Sequence, residues 1–148
     1  MRPFKNEALS YLVWDILQTA NRLIDAGNRL SAPFGLTAAR WQVMGVIIQE
    51  PATVADVARH LSQTRQGVQR LADEMVRDEL AAYGANPRHA RAKLLAPTAQ
   101  GVASYRKLMK EQAKWMDYLS TDIQHKDIAA ARSLLATLNS ALENSRSS

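Results

Sequence analysis

Between Thr64 and Arg70 the chain places two arginines and two glutamines, Arg65, Gln66, Gln69 and Arg70, in the order that the first turns of a helix would gather on one broad face. A guanidinium can fork onto two neighbouring acceptors such as O6 and N7 of guanine. A carboxamide offers one donor and one acceptor, the pair that matches N7 and N6 of adenine. A merely solvated helix face would mix lysine with glutamate, whereas acids begin here only at Asp73. Thr64 stands just ahead, where its hydroxyl can cap the first free amides. A second cluster follows: Arg88, His89 and Arg91, with Lys93 beside them, lie in and just after a turn marked by Asn86 and Pro87. A basic hairpin tip of this kind reaches phosphates or the negative potential of a minor groove, the alternative being a solvated loop.

Neither cluster points to catalysis. The chain has no cysteine, which removes thiolate nucleophiles, disulfides, thiolate metal sites and direct thiol redox sensing. Its three histidines, His60, His89 and His125, are scattered, and neither an HExxH spacing nor a glycine-rich phosphate loop occurs. No metal, no cofactor and no enzymatic activity is expected. The formal net charge is +5, but Arg59 to Lys110 holds ten Lys or Arg against four Asp or Glu, so the rest of the chain carries −1. A positive segment on a nearly neutral chain is the footprint of a surface that meets phosphates; a solvated basic face without a partner is the alternative.

The elements that must position these residues read as mainly helical. Across Glu7 to Leu30, apolar residues at Leu9, Val13, Ile16, Ala20, Leu23, Gly27 and Leu30 alternate steps of four and three, a coiled-coil-like seam that needs a partner. Thr37 caps a second helix with Trp41, Met44 and Ile48 on its apolar face, stopped by Pro51. Thr53 opens a short third helix lined by Ala55, Ala58 and Leu61. After a turn at Ser62 and Gln63, Thr64 caps a fourth helix to about Asp78, with Val68, Leu71, Ala72, Met75 and Val76 inward. The third and fourth form a helix-turn-helix by spacing, with Ala58 small enough to let them cross; Ser62, where many such motifs place glycine, implies a slightly longer or more open turn. Leu80 to Ala85 and Ala92 to Ala96 read as a small hairpin, supported by Tyr83, Leu94 and Leu95. Thr98 caps a long helix carrying Val102, Tyr105, Met109, Met116 and Leu119, and a last helix carries Ile128, Ala131, Leu135, Leu138 and Leu142.

With 148 residues, 47% hydrophobic and 22% charged, the chain has the profile of one ordinary globular domain. Val43 to Ile48 is too short to cross a bilayer, and Met1 to Leu9 lacks the apolar stretch of a secretory signal, so a cytoplasmic protein without a membrane partner is expected.

Three stretches together, LTAARWQVMGVI, VADVARHLSQTRQGVQRLADEMVRDEL and NPRHARAKLLAPTAQG, resemble the MarR family of winged helix-turn-helix transcriptional regulators from Leu36 to Gly101, and more loosely over the whole chain. Arg91 matches the family's minor-groove arginine. Asn86 stands where the family carries aspartate, His89 where it carries an acid two residues before that arginine, and Pro97 where a leucine precedes Thr98. The resemblance implies a winged helix-turn-helix lobe over 36–97 and dimerisation helices at 1–35 and 98–148. The homodimer would hold two recognition helices and two wings over one pseudo-palindromic site in double-stranded DNA, and would act as a repressor. It further implies a small aromatic or phenolic acid bound between the dimerisation helices and the DNA-binding lobe, with Trp14, Phe34, Arg40, Trp41 and Met44 as candidates. For the Trp and Met side chains, plain core packing is the competing reading. A winged-helix module that recruits another protein without touching DNA is the rival function.

Overall fold

Thr37, Thr53, Thr64 and Thr98 each start a helix with the same atom: Oγ1 accepts from the backbone N–H of Arg40, Asp56, Gly67 and Gly101, at 3.1, 3.1, 3.1 and 3.0 Å. Each hydroxyl satisfies one of the amides that a helix start leaves without an internal partner. In the computed structural model, which describes residues 4–147, the helices are α1 (Phe4–Ser31), α2 (Ala38–Ile47), α3 (Val54–Leu61), α4 (Arg65–Arg77), α5 (Ala99–Leu119) and α6 (His125–Arg146). A 3₁₀ turn, Ala32–Phe34, joins α1 to α2, and strands β1 (Ala81–Gly84) and β2 (Leu94–Pro97) lie between α4 and α5. The fold is a mainly helical winged helix. Residues 1–3 and 148, the outermost parts of the expected dimerisation segments, lie outside the described residues. The described chain forms two compact units, one ending at Lys110 and the other beginning at Glu111.

The core of the first unit is built from Val43, Met44, Ile47, Val57, Val68, Ala72, Met75, Leu95 and Leu108, all fully or almost fully buried. Burying side chains of the larger of these kinds contributes roughly 1.5–3 kcal/mol each. The buried residues of α2 are thus Ala38, Val43, Met44 and Ile47; Ile48, expected to face inward, is the half-buried C-cap. In α3 the buried pair is Val57 and Ala58, while Ala55 and Leu61 are only partly covered. Sandwiched between α2 and α4, this short helix turns Val57 inward, a position that the alanine-centred pattern passes over. In α5 the buried residues are Gly101 and Leu108, the latter next to the expected Met109. The end of α1 is fastened to α2: Asn28 Oδ1 accepts from the Ala38 amide at 2.8 Å, and the buried Ser31 hydroxyl donates to the Gly27 carbonyl at 2.6 Å.

The hairpin is shorter than its sequence suggests. Its strands are antiparallel with Ala81 opposite Pro97, Ala82 opposite Ala96, Tyr83 opposite Leu95 and Gly84 opposite Leu94. Ala52 adds a bridge on the other side of Leu95, with N–H to carbonyl distances of 3.1 and 2.8 Å, and so ties the start of α3 to the hairpin. At the root, Thr98 Oγ1 donates to the Glu79 carbonyl at 2.6 Å while it caps α5, and the Thr98 amide donates to the Leu80 carbonyl at 3.1 Å. Only glycine fits three residues on. A Cβ on Gly101 would lie 2.0 Å from the Leu80 carbonyl oxygen, well inside any tolerable contact. The Thr-x-x-Gly start of α5 is therefore the clamp that fixes where the hairpin leaves the lobe.

The long helices contrast with this core. In α1 only Gly27 and Ser31 are buried, and Leu9, Val13, Leu17, Leu23 and Ile24 are exposed along its length. In the second unit α6 has no buried residue, and Ile128, Leu134, Leu135 and Leu142 are exposed. Among the described residues no helix is long and apolar enough to cross a membrane.

Candidate nucleic-acid interface

Burial of Val68, Ala72 and Met75 fixes the rotation of α4 about its axis and leaves Arg65, Gln66, Gln69 and Arg70 on the exposed side. The turn before α4 is tight. Ser62 adopts the left-handed conformation itself (φ 53°, ψ 41°), its amide bonds to Ala58 and Arg59, and the Gln63 amide donates to the Ala58 carbonyl at 3.0 Å. The expectation of a longer or more open turn is thereby corrected: serine takes the backbone shape that glycine usually supplies. Ala58, only 3% exposed, sits where α3 and α4 meet.

Two residues outside the expected set complete the α4 face. Gln69 Nε2 donates to Asp73 Oδ1 at 3.0 Å and to Tyr83 Oη at 2.9 Å, and the Tyr83 hydroxyl donates to the same Asp73 oxygen at 2.7 Å. An ionised carboxylate can only accept, so the amide must turn its nitrogen toward Asp73. Gln69 is therefore held on one side, whereas its sequence reading left the whole carboxamide free. Tyr83 is half-buried on β1, and burial, followed by its bond to the Asp73 carboxylate, pushes its pKa up to about 12. A glutamine four residues before an aspartate on a helix is a visible pairing signal. Nothing local in the sequence brings Tyr83, fourteen residues from Gln69, to the same carboxylate.

At the hairpin tip Asn86 does the structural work. Its Oδ1 accepts from the Arg88 amide at 3.0 Å and its carbonyl from the His89 amide at 3.2 Å, an Asx-type turn that asparagine closes as well as aspartate. The side chains of Arg88, His89, Arg91 and Lys93 are exposed beyond it. Among the described residues neither these four nor Arg65, Gln66 and Arg70 make a side-chain hydrogen bond or ion pair. By contrast, Arg59 pairs with Asp56, and Arg77 with Asp78 at 3.4 Å. The helix face and the hairpin thus carry five permanent cations with no counter-charge among the described residues: Arg65, Arg70, Arg88, Arg91 and Lys93.

The residues expected to hold a small acid are divided, in the single chain, among an ion pair, the core and the surface. Arg40, 15% exposed, holds Asp78 at 2.9 Å and Glu74 at 3.6 Å and so clamps α2 to the end of α4. Its hydrogen bond draws the Asp78 carboxyl below the ordinary aspartate value. Met44 is fully buried core, Trp41 packs beside Gly27, Phe34 is half-buried, and Trp14 is exposed on α1. None of the five lines either of two grooves on the lobe. One, of about 1000 Å³, runs between α3 and the hairpin past Thr53, Arg59, His60 and Arg88; the other, of about 590 Å³, follows Gln66, Gln69, Arg70 and Arg77 along α4.

Residues 34–92 match the MarR family model. The chain is 38% identical over 96 residues to an uncharacterised protein of Mycobacterium tuberculosis, covering 65% of this chain and 67% of that protein. It is 32% identical over 101 residues to BadR of Rhodopseudomonas palustris, a transcriptional activatory protein, covering 66% of this chain and 58% of BadR. Among solved structures it is similar to the transcriptional regulator MosR of M. tuberculosis in complex with DNA, with a TM-score of 0.78 and 25% identity, covering 90% of this chain and 97% of that one.

Proposed function

The chain belongs to the MarR family of DNA-binding transcription regulators, and from that premise we propose that it binds one pseudo-palindromic operator as a homodimer, with α4 in the major groove and the β1–β2 hairpin as a wing against the backbone or minor groove. The observation that carries this reading is the set of cations on α4 and the hairpin without internal partners. Phosphates and guanine edges supply the missing counter-charges and acceptors. Thr64 caps the reading helix, Gln66 and Gln69 are its carboxamide readers, and His89 adds a further donor at the wing.

The homodimer rests on the apolar faces of α1 and α6, which a lone chain leaves in water. The two-fold axis of such a dimer would present two α4 helices to two half-sites. We read the protein as a cytoplasmic regulator with no catalytic role, acting as a repressor where its site overlaps a promoter. A small aromatic acid as effector belongs to this reading only at a seat other than Arg40, whose charge Asp78 and Glu74 already hold.

Selection of bound duplexes from a randomised pool tests the core of the proposal. An enriched inverted repeat is expected, and Arg65→Ala or Arg70→Ala should each weaken binding to it by about 1 to 3 kcal/mol without loss of fold. No enrichment, no binding to random duplex at low salt and indifference to both substitutions would leave a winged-helix module that recruits another protein.

A further inference from the structure

Gln69 is the one reader on the α4 face that the protein itself orients. The distances among Gln69 Nε2, Tyr83 Oη and Asp73 Oδ1, 2.9, 3.0 and 2.7 Å, close a nearly equilateral triangle. Both acceptors therefore lie on the same side of the amide nitrogen, where one N–H can serve both. An N–H shared in this way leaves the second N–H of Gln69 available, and its carbonyl oxygen has no partner among the described residues. One donor and one acceptor are what the N7 and N6 groups of adenine require. The neighbouring Gln66, exposed and unpartnered, has no such support and must lose its rotamer freedom on binding.

We propose that Tyr83 and Asp73 are positioning residues that hold Gln69 in one orientation for reading an adenine, so that specificity at one operator position depends on a tyrosine in the wing strand. The inference rests on α4 being the reading helix. The chemistry is self-consistent: Asp73 accepts from both partners, and Tyr83 accepts from Gln69 while it donates to Asp73. The carboxylate also accounts for why an acid is present on a face that meets phosphates. Asp73 is engaged by two hydrogen bonds, from Gln69 and Tyr83, and stands a full helical turn beyond Gln69, away from the end of α4 that enters a groove first. Because Tyr83 belongs to β1, the triangle also links the root of the wing to the reading helix.

The test uses the full-length protein and the duplex enriched from a randomised pool by the wild type. Gln69→Ala should abolish the preference for adenine at one position in each half-site and leave the other positions unchanged. Tyr83→Phe keeps the ring, and hence the fold, but removes the hydroxyl. It should weaken the same preference by roughly three- to tenfold at that position alone, and Asp73→Asn should do likewise. In a Gln69→Ala background, Tyr83→Phe should have no further effect on base preference, which a purely structural role would not produce. Replacing the adenine by 7-deazaadenine, which lacks the N7 acceptor, should cost the wild type about tenfold and Gln69→Ala nothing. Uniform losses at every position, or additive losses in the double variant, would show that Tyr83 merely supports the wing and would overturn the proposal. If Arg65→Ala and Arg70→Ala reduce binding while Gln69→Ala leaves base preference intact, the proposal fails and the reading-helix assignment stands. If the arginine variants also bind normally, that assignment itself fails.

Discussion

The winged lobe and the long helices obey opposite rules of burial. In the lobe, α2, α3, α4 and the hairpin each turn a short apolar face onto a shared core, and Val43, Met44, Val57, Val68, Met75 and Leu95 reach 0% exposure without help from another chain. In α1 and α6 the apolar residues are as numerous, yet Leu17 is 58% and Leu142 56% exposed. The lobe is stabilised by contacts within one chain, whereas the helices at the two ends carry apolar surface that the single chain leaves exposed. The proposed DNA-binding dimer would explain the division. A reading surface needs a rigid platform, while the spacing of two such platforms would be set by helices that meet across a two-fold axis.

The largest effect expected in the lobe comes from Gly101→Ala. The added methyl would meet the Leu80 carbonyl oxygen at 2.0 Å and the Met44 terminal methyl at 3.1 Å, and the backbone partner cannot step aside without releasing the Thr98 clamp. Overpacking of this kind costs about 1–3 kcal/mol where side chains can give way, and more where backbone must move. Chemical denaturation should show a loss at or above the top of that range, and a variant as stable as the wild type would mean that the wing root is not locked.

A charge at the other pole tests the comparison directly. Leu135→Glu, on the exposed stripe of α6, should leave the lobe folded and convert the dimer to monomer in light scattering. Leaving a charge unpaired at an apolar interface costs several kcal/mol, and operator binding at nanomolar concentration should fall with it. Thermal unfolding would lose its dependence on protein concentration. A variant that remains dimeric and binds normally would show that α6 is a solvated helix and would break the division between lobe and ends.

A smaller loss is expected from Arg40→Ala, which unties α2 from the end of α4. The Asp78 carboxyl is held below its ordinary value of 3.8, first by the Arg40 hydrogen bond. A carboxyl with a depressed folded value stabilises the fold above its ordinary value, and that contribution disappears as pH falls through the folded one. The stability gap between wild type and Arg40→Ala should therefore be widest at neutral pH and should close below about pH 3.8. A gap that persists unchanged in acid would assign the effect to packing of the arginine stem instead.

What the sequence made legible follows the same division. Periodic apolar spacing and threonine caps locate every helix to within a few residues, because both signals are local. The identity of the buried faces was less legible where a helix is short: in α3, Val57 lies between the alanines that suggested the face, and only its place between α2 and α4 selects it. The hairpin was readable from Asn86 and Pro87, but its third partner, Ala52, is joined to Leu95 by backbone bonds that no side-chain pattern reports. In the candidate interface, Arg65, Gln66, Gln69, Arg70, Arg88, His89, Arg91 and Lys93 all stand exposed as their positions suggest. Tyr83 and Asp73 were missed because their roles arise from contact across two elements. Arg40 was read as a free cation, since its acidic partners are contributed by the far end of α4.

The smallest expected effect is a gain. Ser62 holds the turn of the helix-turn-helix at φ 53°, a region that costs an L-residue about 1–2 kcal/mol relative to its preferred conformations. Glycine removes that cost but enlarges the freedom of the unfolded chain, which opposes it by roughly 0.5–1 kcal/mol. The difference favours Ser62→Gly by about half a kcal/mol, since the Ser62 side chain makes no bond that glycine would forfeit and its amide contacts to Ala58 and Arg59 are kept. Because the gain arises wholly within the lobe, the unfolding midpoint should rise while its dependence on protein concentration stays that of the wild-type dimer. Operator affinity should stay within about twofold, as the exposed face of α4 is unchanged. A lower midpoint would mean that the hydroxyl stabilises the turn through solvent or that serine is at ease in this shape. It would also remove the strain that the backbone angles assign to the one joint on which the angle between α3 and α4 depends.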